Sequence, residues 1–332
     1  MLTISKPLSA GQAQNYHQKE FTAKEQNYWS QRGVIVGEWQ GQLASQFGLL
    51  GDVSGEDFAR LSQGQHPVTG EQLVRQRASY EYRDADGKTV KTMEHRAGWD
   101  ATFSAPKSVS LTALVGGDDC VREAHRESVR VAIEQLEHYT QARIGGNHPA
   151  ETTGKFIAAK FEHDTARPVD GYVAPQLHTH TVIFNLTERY GGQARAIQPQ
   201  SLFASQQFAT AVYQSELMYR LRQLGYEITP GRSGAPEIKG YTQEYLDASS
   251  PRSQQILEYL ERRAALAKKP LKLPPIQPAT ARKSIRHEKL WPRIASSPPT
   301  SATRRMRSSM PLENGHSSRH NPSLQSSVFG RQ

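Results

Sequence analysis

His178 and His180 stand two residues apart in the run LHTHTVIFNL, and a third histidine, His163, closes an earlier run, KFIAAKFEH. On a β-strand, residues i and i+2 point to the same face, so both imidazoles of the pair look at one point in space. If these two runs pair across the polar segment 164–176, His163 faces that same point. Three neutral imidazoles bind a divalent cation and leave positions open for substrate oxygens. The donor set alone favours Zn, Mn, Fe or Ni over Mg, which prefers oxygen ligands; a phosphodiester supplies such oxygens and keeps Mg and Mn open. A surface strand with two unrelated histidines is the plainer reading of the same pattern. Asp100, after Trp99 and before a hydrophobic segment, is suited to hold the outer nitrogen of a ligand histidine or to accept a proton.

A nucleophile is harder to find. The sequence has no Ser–His–Asp pattern, nucleophile elbow, HExxH or Gly-rich phosphate loop. Cys120 falls just inside an expected helix N-terminus, which lowers a thiol pKa, but the position equally suits packing. Tyr16 and Tyr28 each follow an asparagine, in Asn15–Tyr16–His17 and Asn27–Tyr28–Trp29. A phenol, with its pKa of about 10, attacks poorly unless a cation or a base stabilises the phenolate. A metal that polarises the phosphate under attack supplies part of that activation.

The elements that must carry these residues follow from local pattern. The first 40 residues, with Tyr16, Tyr28, Trp29 and Trp39 among polar neighbours, read as helix followed by exposed loop. Residues 52–61 predict a short helix capped near Ser54, and 78–95 a hairpin turning at Asp86–Gly87. Trp99–Ser104 and Ser108–Val115 read as strands or buried segments broken at Ala105–Pro106. A long helix is expected from Asp118 or Asp119 through Arg143, with Val121, Ala124, Val129, Ala132, Leu136 and Tyr139 on its buried face. Strands over 155–163 and 177–186 follow, then helices over 201–224 and 242–268 separated by a short strand at 226–228. Together these predict one α+β domain over residues 1–270.

The formal charge of +9, from 41 Lys+Arg against 32 Asp+Glu in 332 residues, invites a nucleic-acid partner. Yet residues 271–332 hold 11 of the basic residues against Glu288 and Glu313, together with 8 of the 19 prolines. Residues 1–270 therefore balance at 30 against 30. The composition predicts a basic, Pro/Ser-rich, disordered tail. One cysteine excludes an internal disulfide framework. No run approaches the roughly 20 apolar residues of a membrane span, and the N-terminus lacks a signal-type apolar segment. A cytoplasmic protein without membrane insertion is expected.

Several motifs in this order resemble the N-terminal relaxase domain of the TrwC/TraI-type (MobF) conjugative relaxases, in the HUH endonuclease superfamily. They are Ala13–Gln14–Asn15–Tyr16, the run GWDATFSAPKSVS from Gly98 to Ser110, FEHDTAR from Phe161 to Arg167, and PQLHTH from Pro175 to His180. Weaker agreement continues at Leu224–Glu227 and Ser253–Gln254, so that the resemblance covers about residues 1–265. It implies an antiparallel sheet core flanked by helices that close over single-stranded DNA. The implied activity is site- and strand-specific nicking and rejoining at the nic site of a plasmid transfer origin, beside a recognition hairpin. In that family a tyrosine forms a covalent 5′-phosphotyrosyl link and releases a 3′-OH.

Carried over by motif, Tyr16 is the primary nucleophile and Tyr28 the later one. His163, His178 and His180 hold a divalent metal, Mg or Mn in use, with Zn, Ni or Co able to occupy the site. Asp100 orients a ligand or helps remove the tyrosine proton. Lys107 and Arg167 are candidates for phosphate contacts or for local structural support, Arg75 and Arg77 are candidate DNA contacts, and Trp29 and Trp39 are candidate stacking surfaces for unpaired bases. The implied partners are origin DNA, relaxosome accessory proteins and the coupling protein, with the chain itself a monomer. Two departures stand out. Tyr–Tyr pairs are frequent in the family, whereas His17 and Trp29 follow the tyrosines here, and the loop between His163 and His178 is longer than usual. Relatives continue into a helicase, but this chain has no G-x-x-x-x-G-K-[ST], so no ATPase is expected. A rolling-circle replication initiator, a transposase or a catalytically idle origin-binding module are the alternatives.

Overall fold

A computed structural model of the chain describes residues 1–18, 37–76, 81–83, 87, 89–91 and 95–267. The chain divides into two units, Met1–Pro270 and Leu271–Gln332, and the described residues all belong to the first. Tyr28, Trp29, Arg77 and the basic segment 271–332 lie outside the described residues.

The first unit opens with β1 (Leu2–Ile4), β2 (Leu8–Ser9) and α1 (Ala10–Tyr16). Ser9 starts α1 through a capping box: its hydroxyl accepts from the Gln12 amide, and the Gln12 side chain accepts from the Ser9 amide. Next come β3 (Glu38–Gln40), α2 (Gln42–Gln46) and α3 (Gly55–Ser62), the last capped by Ser54 as its sequence predicts. The hairpin of β4 (Glu81–Arg83) and β5 (Thr89–Lys91) leads into β6 (Arg96–Ser104), α4 (Lys107–Leu114) and α5 (Asp119–Glu137). After the small pair β7 (Gln141–Ala142) and β8 (Glu151–Thr152) run two long strands, β9 (Ala158–Thr165) and β10 (Pro175–Phe184). The order closes with β11 (Thr187–Glu188), β12 (Ala194–Arg195), α6 (Gln200–Ala204), α7 (Gln206–Gln223), β13 (Ile228–Pro230), β14 (Pro236–Ile238), α8 (Gln243–Ala248) and α9 (Pro251–Ala267).

The central sheet has the order β1-β6-β10-β9-β3, with β2 also paired to β6, and every pairing is antiparallel. This is the α+β, antiparallel-core architecture expected from the sequence. Strand alternation divides the core between the two faces. On one face Trp99, Ala101, Phe103, Leu177 and Ile183 pack beneath α4, α5 and α7. On the other, Ala159, Phe161, Val182 and Phe184 pack with Ala13 of α1, Phe58 and Leu61 of α3, Leu43 and Trp39.

Four boundaries differ from expectation, each for a local reason. The segment from Ser108 is buried, one of its two expected readings, but as a helix and not as a strand. Ser108, Val109, Ser110, Leu111, Ala113 and Leu114 are all buried, so no polar face betrays the helical period. The first long helix stops at Glu137, where Tyr139 and Thr140 turn into β7, so Tyr139 lies beyond the helix and is exposed instead of joining its buried face. The helix expected over 201–224 is two, broken at Ser205, and the one over 242–268 is broken ahead of Pro251, which cannot continue a helix interior. The loop after β9 is also more regular than its polar composition suggests. Val169 and Tyr172 exchange backbone hydrogen bonds of 3.0 and 2.9 Å around Asp170–Gly171, both with positive φ.

Candidate metal centre

The register of the three central strands assembles the site. His178 on β10 lies opposite Ser104 on β6 and His163 on β9, and His180 lies opposite Thr102 and Phe161. Alternation puts Asp100, two residues before Thr102, on the same face. The three imidazoles sit with ring centroids 5.0–5.2 Å apart, and one ligand nitrogen from each lies within 4.8 Å of the others.

Two of the rings have their tautomers set by outer partners. His178 Nδ1 is 2.9 Å from the Gln176 carbonyl oxygen, which can only accept, so Nδ1 carries the proton and Nε2 keeps its lone pair. His180 Nδ1 is 2.7 Å from Asp100 Oδ2, with the same consequence. Thr102 Oγ1 lies 3.2 Å from both Asp100 Oδ2 and His180 Nδ1, buttressing that pair. Carboxylate and carbonyl partners behind ligand histidines fix ring orientation and raise ligand basicity. Burial, reinforced by nearby His180, pushes the His178 pKa down to about 4, which keeps the ring neutral as a metal requires. The donor chemistry therefore fits a divalent cation. A cleft of about 390 Å³ opens beside the triad, with Ser104, Thr165, Arg167 and Gln176 in its walls.

The other sequence candidates fall in distinct places. Tyr16 is the last residue of α1. The next residue, His17, stacks on Phe58 at 4.4 Å and meets Phe161 edge-on at 5.6 Å between ring centroids. Phe161 pairs with His180, so the end of α1 is anchored one register position from a ligand. Arg167 is exposed on the wall of the cleft. Lys107 instead turns inward: its ammonium donates to the Pro175 carbonyl at 2.8 Å, and burial pulls its pKa down to about 8 against the opposing pull of Glu237. It ties the start of α4 to the start of β10.

Arg75 is exposed and lines a second cleft of about 540 Å³, together with Arg96, Arg143 and Arg195. Trp39 requires a correction. It is only 6% exposed and packs 6.0 Å from the Phe184 ring, because alternation on the short edge strand turns it into the apolar cluster. An indole buried in this way offers no face to a base. Thr102 and Gln176 were missed by the sequence reading. Thr102 was within reach, since it stands two residues from Asp100 on the same strand face. Gln176 acts through its backbone carbonyl, which no side-chain pattern reveals.

Fold and site together define an α+β domain whose sheet presents a three-histidine metal centre, backed by a carboxylate, to an open cleft. A family model described as TrwC relaxase matches residues 10–297, and the chain belongs to that family. The match runs past residue 270, where charge and proline content alone place a boundary. The multifunctional conjugation protein TraI of Escherichia coli is 37% identical over 278 residues, 80% of this chain and 14% of TraI. The TraI of E. coli strain K12 is 35% identical over 279 residues. The chain thus spans about 14% of the length of these curated relatives. Among solved structures, the conjugative relaxase TrwC in metal-bound complex with oriT DNA is 35% identical, with a TM-score of 0.65 over 79% of this chain and 84% of that one. TrwC bound to a 27-mer DNA comprising the recognition hairpin and the cleavage site is 33% identical, with a TM-score of 0.64 over 80% and 84%.

Proposed function

We propose that this domain nicks and rejoins one DNA strand at a plasmid transfer origin, through a tyrosine and a divalent cation. The observation that carries the reading is the convergence of His163, His178 and His180, with Asp100 setting the His180 tautomer, beside the helix that ends at Tyr16. The triad holds the cation, and Mg or Mn is the one in use, with Zn, Ni or Co able to occupy the same donors. When bound, it withdraws charge from the phosphate oxygens. Asp100 keeps His180 oriented and is the carboxylate assigned to help remove the phenolic proton. Tyr16 Oη bonds to phosphorus, the P–O3′ bond breaks, and the 3′-oxygen leaves with a proton. The product is a 5′-phosphotyrosyl link that keeps the phosphodiester energy, so that the 3′-OH can later reverse the step.

Arg167 is suited to contact a phosphate from the wall of the catalytic cleft. The Arg75, Arg96, Arg143 and Arg195 cleft suits the phosphates of the origin hairpin. Tyr28 is assigned a second cleavage. Lys107 supports the site from within, and the basic segment 271–332 adds salt-sensitive affinity without target choice. The setting is the bacterial cytoplasm, with relaxosome accessory proteins and a coupling protein as partners of a monomeric domain. No helix among the described residues is long and apolar enough to cross a membrane. The TrwC relaxase match favours a transfer origin over a replication origin or a transposon end.

The test incubates the chain and Mn with single-stranded oligonucleotides tiling a cognate origin. A covalent adduct is expected, and peptide mass spectrometry should assign it to Tyr16. An adduct that persists unchanged in Tyr16→Phe sinks the assignment. Binding without any adduct marks an idle origin-binding module. Removal of residues 271–332 should weaken low-salt DNA binding and leave cleavage intact.

A further inference from the structure

The sheet face behind the metal centre carries polar groups that the proposed reaction does not use. Thr179 stands between the two ligand histidines of β10 and points the opposite way, into the helix layer. There its Oγ1 lies 3.0 Å from His125 Nε2 of α5, and His125 Nδ1 lies 2.9 Å from the Tyr213 hydroxyl of α7. Both His125 and Tyr213 are fully buried. Directly opposite Thr179 is Glu162, the residue before His163. Its carboxylate accepts from Arg122 Nε at 2.5 Å and from Arg126 Nε and Nη2 at 2.7 and 2.9 Å.

Arg122, His125 and Arg126 are spaced i, i+3 and i+4, so they share one face of α5. That face grips both ligand-bearing strands at the residues adjoining the ligands. The next threonine on the same side of β10 makes the contrast. Thr181 is fully buried too, yet its hydroxyl has no hydrogen-bond partner among the described residues. The grip singles out Thr179, which lies between the two ligands and opposite Glu162, and is not a habit of threonines on this face. Buried polar groups of this kind are often replaceable by apolar ones with no loss of stability. What apolar packing lacks is the fixed distance and direction of a hydrogen bond.

We infer that Arg122, His125 and Arg126 form a positioning plate that sets the height and spacing of His163, His178 and His180, and so the affinity and geometry of the cation they hold. The inference rests on the reading that the triad binds a divalent metal. None of the plate residues touches that metal; they act through Thr179 and Glu162.

The test titrates the full chain with Cu(II), chosen because its paramagnetic spectrum reports ligand geometry, and measures affinity by chelator competition. Thr179→Val removes the hydroxyl at nearly constant volume, Thr179→Ser keeps it, and Thr181→Val is the control on the same face. Loss of a partner bonded directly to a ligand weakens metal binding by about 10- to 100-fold, so Thr179, acting one step removed, should sit no higher than the low end of that range. Thr179→Val should fall at about 10-fold with altered copper hyperfine splitting, Thr179→Ser should recover both, and Thr181→Val should match the parent. A folded Thr179→Val protein with parental affinity and spectrum overturns the plate. Should that variant fail to fold, Tyr213→Phe removes the far hydroxyl, and a parental spectrum there overturns it equally. A parent chain that binds no Cu(II) or Mn(II) at all would bring down the metal reading itself, a different outcome from equal binding by parent and variants.

Discussion

One face of the central sheet is divided into two halves of opposite character. Towards α1 and α3, residues Ala159, Phe161, Val182 and Phe184 are sealed beneath Phe58, Leu61 and Ala13. A few ångströms along the same strands, His163, His178, His180, Thr102 and Asp100 face an open cleft. The same three strands build both halves, and the seam falls where Phe161 pairs with His180. The apolar half holds α1 in place, and the polar half can then afford a cluster of unsaturated donors.

Damage on one side of this division should read out differently from damage on the other. The largest effect belongs to Phe58→Ala. It removes a ring stacked on His17 and packed edge-on to Phe161 and Phe184, and should cost about 3–5 kcal/mol in urea unfolding. Metal affinity of the surviving folded protein should change little. His180→Ala should do the reverse, leaving the unfolding midpoint of the metal-free protein near its parent value. Adduct formation with origin oligonucleotides should drop by roughly 100- to 1000-fold, the scale of several kcal/mol of lost Lewis-acid stabilisation. A His180→Ala protein that nicks at the parental rate breaks the comparison.

Asp100→Asn is milder. An amide still fills the space behind His180 but gives up the charge, and metal affinity should weaken by about 10- to 100-fold in a chelator titration. The effect of pH is more gradual than that of any of these substitutions. Burial depresses the pKa of His178 to about 4 and of His125 to about 3, below the unfolded value of about 6.5. The unfolded chain therefore binds more protons across that interval. Stability from these two rings is complete above pH 6.5 and declines gradually as pH falls through about 4 to 3. Urea midpoints measured from pH 7 to 4 should fall steadily, and a flat profile would contradict the burial of these rings.

Much of the polar half was legible in the chain itself. The His-x-His spacing needs only the two-residue period of a strand, and Asp100 stands out as an acid within an otherwise apolar run. The apolar half was far less legible. Trp39 reads as a polar-flanked aromatic suited to stacking on DNA, and only its place on an edge strand beside Ala159 turns it inward. The buried α4 hid its period because no face of it meets water. His125, in the middle of an amphipathic helix, carries no local sign that it reaches a threonine 54 positions away.

Local chemistry therefore determined which residue types were present to bind a cation and attack a phosphate, since strand period and side-chain donors are properties of short segments. The antiparallel register decided the rest. It alone brings His163 opposite His178, sets Asp100 behind His180, and gives α5 its grip behind the ligands. Those contacts join residues 15 to 80 positions apart, and the longer of these distances close only when the whole sheet forms.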